Sequence, residues 1–337
     1  MIKYKFNMED ILSALFQRNF ESGIDRIEAL PASGSARRYF RLFSAQKTYI
    51  GVYHQNLEEN RLFIQFSEHF RRNGLHVPEV FCVSEDEQAY IQEDLGKTML
   101  LDVVEHERQG AFLNEHLMEL YRKALVELLR FQFAGEGLDY SHCIPRPVFD
   151  RRCISWDLNY FKYCFLRLAG ADFSEEALEN DFEKLTDFLC AIPTDYFMFR
   201  DFQSRNIMVG QEEVWFIDYQ GGRQGALQYD VASLLFDAIV AIPDVQREEL
   251  LDFYIGKLQQ YKMIAATTFR TGYYRFVLVR LLQAMGAFGL RGLHEKKQHF
   301  IDSIQPALQN ITGLFDSGKL GNDYPEIRRV CKQCLKK

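Results

Sequence analysis

Nowhere in the 337 residues is there a G-x-G-x-x-G loop, a block of lysines and arginines, or an apolar run of membrane-spanning length. The missing basic block, with a formal net charge of −7, argues against broad nucleic-acid binding. The missing apolar run, and an N-terminus without a basic-then-apolar signal segment, set the expectation of a cytoplasmic protein with no membrane partner. Cysteine is sparse and scattered: seven residues, an odd number, most inside apolar patterns, which read as reduced core thiols. Cys331 and Cys334 have zinc or redox spacing, but no second cysteine pair or nearby histidine completes a tetrahedral site. The eight histidines show no ligand spacing. No repeat, low-complexity segment or flexible linker interrupts the chain.

Apolar residues, by contrast, are plentiful. They make up 47% of the chain and include 29 phenylalanines, enough for sizeable cores and suited to a large helical lobe packed through aromatics. The length allows two domains or one bilobal one. Strand patterns dominate residues 24–94: Ile24 to Leu30, Tyr39 to Phe43, Lys47 to Tyr53, Glu79 to Val83 and Ala89 to Glu93. Amphipathic helices are expected at Met8 to Phe20 and Glu58 to Asn73, the latter stopped by Gly74. After residue 97 the pattern turns helical: Phe112 to Phe133, Asp150 to Gly170, Glu175 to Ile192, Tyr229 to Ala241, Gln246 to Tyr261, Phe269 to Phe288, Glu295 to Leu314 and Tyr324 to Leu335. The expected fold is therefore α+β and bilobal. A small antiparallel-sheet lobe spans residues 1–96, and a larger, mainly helical lobe spans 97–337.

One stretch breaks the helical pattern, Tyr196 to Gly222, YFMFRDFQSRNIMVGQEEVWFIDYQGG. Two short apolar strands flank a turn and leave Asp201, Asn206 and Asp218 at one end of a hairpin. That is one carboxylate able to take a proton, plus an amide and a second carboxylate of the hard-oxygen type that Mg²⁺ prefers. Arg200-Asp201, Asn206 and Asp218 stand at the offsets of a kinase catalytic loop and its metal-binding aspartate. Phosphoryl transfer needs these groups: a base beside the acceptor hydroxyl, and a cation over the nucleotide phosphates.

FRDFQSRNIMV, then VWFIDYQGG and Tyr229-Asp230 with Ser233-Leu234-Leu235, resemble the aminoglycoside phosphotransferase superfamily, and within it the bacterial amino-sugar anomeric kinases. The resemblance implies a protein-kinase-like fold and phosphorylation of a small molecule, a sugar, by ATP with Mg²⁺. It makes Asp201 the catalytic base and Asn206 and Asp218 the metal ligands. Ser33, Gly34, Ser35 and Arg38, in a segment similar to the family's S-G-S-x-R-R-Y-F-R, would cover the nucleotide phosphates. Gln92, Glu93 and Leu95, in an E-D-L-G-like hinge, would offer backbone groups to the adenine. Asp230 would brace the catalytic loop, cap its own helix, or do both.

Two departures stand out. The third strand has no phosphate-binding lysine, which leaves Arg38 and Arg41 as candidate clamps because arginine grips phosphate in a two-pronged geometry. Glu59 and Glu68 are the helix-C glutamate candidates, without a lysine to pair. Phe199 replaces the histidine that usually begins the loop, and is expected to prop it by packing. Asp157 and Asn159 fit either sugar hydrogen bonds or, for Asp157, a helix N-cap. Arg205 and Arg223 near the loop, in place of an acidic cluster, suit a neutral or anionic acceptor. An antibiotic or choline-type kinase and a pseudokinase binding module are the alternatives.

Overall fold

The computed structural model describes residues 7–31, 36–45, 47–211 and 213–336. Ser33, Gly34 and Ser35 lie outside these residues. Helix α1 (Met8–Asn19) precedes five strands, β1 (Arg26–Ala29), β2 (Arg38–Ser44), β3 (Lys47–Tyr53), β4 (Val80–Val83) and β5 (Ala89–Glu93). Between β3 and β4 runs α2 (Leu57–Arg72). The strands form one antiparallel sheet in the order β1-β2-β3-β5-β4. Side chains alternate across it. Phe40, Leu42 and Ile91 on one face pack Leu12, Leu15 and Phe16 of α1. Ile50, Val52 and Tyr90 on the other face join α2 and a core that continues through the rest of the chain.

The helical part begins with α3 (Leu100–Glu107), α4 (Glu115–Ala134), α5 (Arg151–Phe161) and α6 (Glu175–Cys190). It continues, past four short strands, with α7 (Leu227–Leu235), α8 (Asp244–Leu258), α9 (Ala266–Phe288), α10 (Gln298–Asp302), α11 (Ile304–Asp316) and α12 (Pro325–Leu335). The short strands are β6 (Tyr196–Met198), β7 (Ile207–Val209), β8 (Val214–Phe216) and β9 (Arg223–Gly225); β6 pairs with β9, and β7 with β8. Helix α2 joins the two parts. Asn56 caps its start by accepting from the Glu59 N–H, and Leu62, Phe63, Phe66 and Phe70 recur at helical spacing. Phe63 stacks on Tyr219 at 4.9 Å, and Phe70 meets Phe197 edge-on at 4.8 Å. Helix α2 and the short-strand region of the helical part therefore share one aromatic core.

Three expectations need correcting. The helix from Tyr229 ends at Leu235, because the Asp237 carboxylate accepts from the Ile239 N–H and from the Ser204 hydroxyl and turns the chain. The segment from Glu295 splits into α10 and α11 at Ser303, whose hydroxyl bonds back to the His299 carbonyl. One apolar helical run, Ala266–His294, is long and apolar enough by composition to cross a membrane; most of it is buried inside the fold.

Candidate active site

The loop that carries Asp201 leaves β6 on a buried phenylalanine. Phe199 packs edge-on against Phe131 at 4.9 Å and Phe202 at 5.0 Å, and so fills with aromatic contact the place where the motif has histidine. From α7, Asp230 accepts the Phe199 N–H at 2.7 Å and the Arg200 N–H at 3.0 Å. It lies in the first turn of α7 and holds the loop rather than capping its own helix. Burial pushes its carboxyl up to about 7 despite those two bonds. Arg200 has a positive φ of 80°, a strained conformation for a residue with a side chain. Its guanidinium is locked by Asp157 at 2.5 and 2.7 Å and by the Tyr229 hydroxyl. Asp157 is therefore neither a helix cap nor a group left for a sugar; the cap of α5 is Asp150.

With Arg200 turned inward, the half-exposed Asp201 faces the cleft. Asn206 donates its amide to the Asp201 carbonyl at 2.8 Å and lies 3.4 Å from Asp218. Asp218 sits in the left-handed region, φ 66°, which re-aims its carboxylate as β8 ends. Burial pushes that carboxyl up; Gln220, donating at 2.7 Å, pulls it down, Asp201 adds to the rise, and Arg37 and Arg205 oppose it. Gln220 leaves its own buried amide oxygen without a partner among the described residues. No group of three His, Cys, Asp or Glu side chains suited to a metal occurs among the described residues. One carboxylate and one amide oxygen, short of a full cage, fit a hard cation that takes its remaining ligands from phosphate and water.

Across the cleft, strand alternation separates the three arginines of RRYFR. Phe40 and Leu42 face α1, so Arg38 falls on that side and is exposed there. Arg37 falls on the cleft side, buried over the Phe63 ring, with Glu59 of α2 at 3.4 Å and with an electrostatic influence on Asp218. Arg41 is bound to the Asp94 carboxylate at 2.6 and 3.0 Å and to the Gly96 carbonyl at 2.8 Å. Arg37, not the Arg38 that the sequence reading named, is thus the arginine on the cleft side, and it pairs with Glu59, which that reading left as a helix-C glutamate without a cation. At the hinge, Gln92 and Glu93 end β5 in register with Ile50 and Tyr49, and the Glu93 N–H is used by the Glu79 carbonyl. The backbone at Leu95 makes no hydrogen bond among the described residues.

Beside Asp201 opens a cavity of about 210 Å³. Asp201, Gln203 and Arg205 form its edge toward the loop; Arg280, Gln283 and Phe300 belong to its outer wall. Arg223 is not part of it, since its guanidinium binds the Ile144 and Gly221 carbonyls.

A five-stranded lobe joined to a helical lobe, with an aspartate, an asparagine and a second aspartate where they meet, defines a kinase acting on a small molecule. The chain belongs to the phosphotransferase enzyme family, whose model matches residues 26–264. An N-acetylmuramate/N-acetylglucosamine kinase of Pseudomonas aeruginosa is 25% identical over 257 residues, which are 74% of this chain and 72% of that one. The like-named kinase of Neisseria meningitidis serogroup B is 29% identical over 186 residues, 54% and 51% of the two chains. Among solved structures, a choline kinase of Cryptosporidium parvum superposes with a TM-score of 0.64 at 12% identity, over 96% of this chain and 99% of that one. The aminoglycoside phosphotransferase APH(2'')-Ib, bound to ADP, gives 0.60 at 14% over 94% and 98%. These likenesses confirm the expected kinase-like fold.

Proposed function

We propose that this protein transfers the γ-phosphoryl group of ATP to the anomeric hydroxyl of an amino sugar. The observation that carries the reading is the convergence of Asp201, Asn206 and Asp218 beside a small cavity walled by two arginines. About 210 Å³ lies below the roughly 300–1,000 Å³ of sites for drug-sized ligands. That suits one sugar ring better than a multi-ring antibiotic. Arg205 and Arg280 at the wall disfavour a cationic acceptor such as choline. The amino-sugar kinase relatives point the same way. Keeping all three polar groups argues against a pseudokinase. Seven free cysteines agree with a reducing, cytoplasmic setting.

In this reading the nucleotide lies between the segment holding Ser33, Gly34 and Ser35 and the hinge at Gln92, Glu93 and Leu95. The free backbone at Leu95 is the strongest hinge candidate, and Arg37, rather than Arg38, reaches the phosphates. Asp218 and the amide oxygen of Asn206 would hold Mg²⁺, which supplies charge neutralisation at the phosphates when bound. Asp201 orients the acceptor hydroxyl in line with the γ-phosphate. As the sugar oxygen bonds to phosphorus, its proton passes to Asp201 and the bridging bond to ADP breaks.

The test is a panel of sugars offered with ATP and Mg²⁺, read as phosphate transfer. The product expected from an amino sugar is the 1-phosphate, identified by ³¹P–¹H coupling to the anomeric proton. Asp201→Asn keeps the shape and removes the proton acceptor; kcat should fall by about 10²–10⁴-fold with nucleotide affinity nearly unchanged. A wild-type rate in that variant would sink the catalytic assignment. Transfer only to another hydroxyl would sink the anomeric one.

A further inference from the structure

Helix α9 is the most apolar long helix of the chain, yet Arg280 lies in the middle of its buried face, between Val279 and Leu281, and is only 7% exposed. A guanidinium in such a place needs compensation. Two of its partners are neutral: Nε donates to the Ser233 hydroxyl at 3.2 Å, and Nη1 to the Gln283 amide oxygen at 2.6 Å. The only carboxylate within ion-pair distance among the described residues is Asp201, whose Oδ1 is 3.5 Å from Nη2. The other charges nearby are committed elsewhere or stand apart. Arg200 is held by Asp157, and Asp237 by Ser204 and the Ile239 N–H, while Arg205 lies at the cavity edge.

We propose that Arg280 is a positioning residue for Asp201: Ser233 and Gln283 fix its guanidinium, and the guanidinium in turn fixes the carboxylate at the mouth of the acceptor cavity. The inference rests on the reading of Asp201 as the base. Helix α7 then holds the catalytic loop twice from one turn, through Asp230 to the backbone and through Ser233 and Arg280 to the side chain. With Oδ1 facing Arg280, Oδ2 is left for the acceptor hydroxyl. A 3.5 Å separation is an ion pair rather than a formed hydrogen bond, and contacts of this kind tighten when the reacting complex assembles. Arg280 lies past residue 264, beyond the family-matched segment, on the helix that also supplies Gln283 and Ala284 to the cavity wall. The acceptor wall and the base are thereby set by one helix.

Arg280→Gln, Arg280→Lys, Asp201→Asn and the double variant Asp201→Asn/Arg280→Gln form the test. Arg280→Gln should lower kcat by about 10–100-fold through misplacement of the base, with the acceptor KM and the calorimetric nucleotide Kd within twofold of wild type. Arg280→Lys, which keeps the charge and is the safer folder, should fall between the two. The double variant should be no slower than Asp201→Asn alone, because Arg280 acts only through Asp201. Losses that multiply, or a raised acceptor KM with kcat intact, would overturn the proposal and make Arg280 a direct acceptor contact. A double-mutant cycle in unfolding stability should show coupling between the two positions, and this needs no turnover. Zero coupling there overturns the inference even for an enzyme inert on every sugar offered, whereas that inertness alone counts against the functional reading.

Discussion

In the proposed reading, Arg37 is the single residue on which the phosphate contact depends. It stands where the missing third-strand lysine would be needed, and Glu59 supplies the carboxylate that such a cation requires. Arg37→Met should raise the KM for ATP about tenfold or more, since charge-assisted contacts to phosphate are among the strong ones. Arg38→Met should leave it unchanged, because that side chain stands on the α1 face. Equal effects of the two changes in steady-state kinetics would contradict the alternation argument. The difference was not legible in the sequence: two adjacent arginines carry no mark of which faces the cleft until the strand register is known. Asp201, Asn206 and Asp218 were legible because their spacing is itself the chemistry. Arg280 was not, because it reaches the site through folding from 79 positions away in sequence (280 − 201). Its one signal was a charge inside an otherwise apolar helix. Asp230 adds a pH effect. Its folded-state pKa, about 7, lies above the ordinary carboxylate value of 3.8. The stability tied to its protonation is therefore fully present below about pH 4 and lost as pH rises through 7. Asp230→Asn cannot titrate. Wild type should lose stability relative to that variant between about pH 4 and pH 7 in thermal unfolding, and parallel curves would refute the assignment.

At the scale of elements, most helices and strands follow from periodicity. The amphipathic stripes of α1, α2 and α4 and the apolar runs of β2, β3 and β5 have one way to bury themselves. The ends of elements were less legible where a side chain competes with the backbone, as Asp237 and Ser303 do. The π turn after α9, Gly289–His294, was not legible at all, since no local pattern encodes a wider helical turn. It exists through close approach. A Cβ on Gly289 would lie 1.9 Å from the Cys164 carbonyl oxygen and 2.7 Å from the Phe165 Cα, backbone atoms that cannot swing aside. Gly289→Ala must therefore push α9 and its π turn away from the π turn Lys162–Leu166 that follows α5. The expected loss of stability is about 3 kcal/mol, at the upper end for overpacking. Phe288 and His299 line the cavity beside Asp201 on either side of this turn, so, in the proposed reading, the acceptor KM should rise as well. Denaturant unfolding and steady-state kinetics on one protein preparation measure both; a neutral substitution would mean the two turns are not packed as described.

The molecule as a whole depends on how the sheet is fastened to the helices. The chain crosses between them from Asp94 to Met99, and at that crossing the sheet is tied down through β2 by one group. Arg41, from β2, clasps Asp94 with two hydrogen bonds and the Gly96 carbonyl with a third, and both charged side chains are buried. Arg41 is committed to this contact, which argues for a structural role over that of a phosphate clamp. Arg41→Met strands a buried carboxylate and should cost about 3–5 kcal/mol of stability. Replacing both partners, Arg41→Met with Asp94→Leu, removes the charge that was stranded and should recover most of that loss, since an apolar pair of similar volume is often neutral. The same two variants separate the possible roles in nucleotide binding. A latch acts by holding the crossing, and with it the backbone at Leu95, so the single variant should bind ATP more weakly and the double variant should regain affinity along with stability. A clamp acts by touching phosphate, and nothing done at Asp94 could replace its lost charge. Calorimetric titration of ATP into both variants, beside urea unfolding of each, therefore decides the matter. A double variant that is stable again yet still binds ATP as weakly as Arg41→Met would return Arg41 to the phosphates and refute the latch.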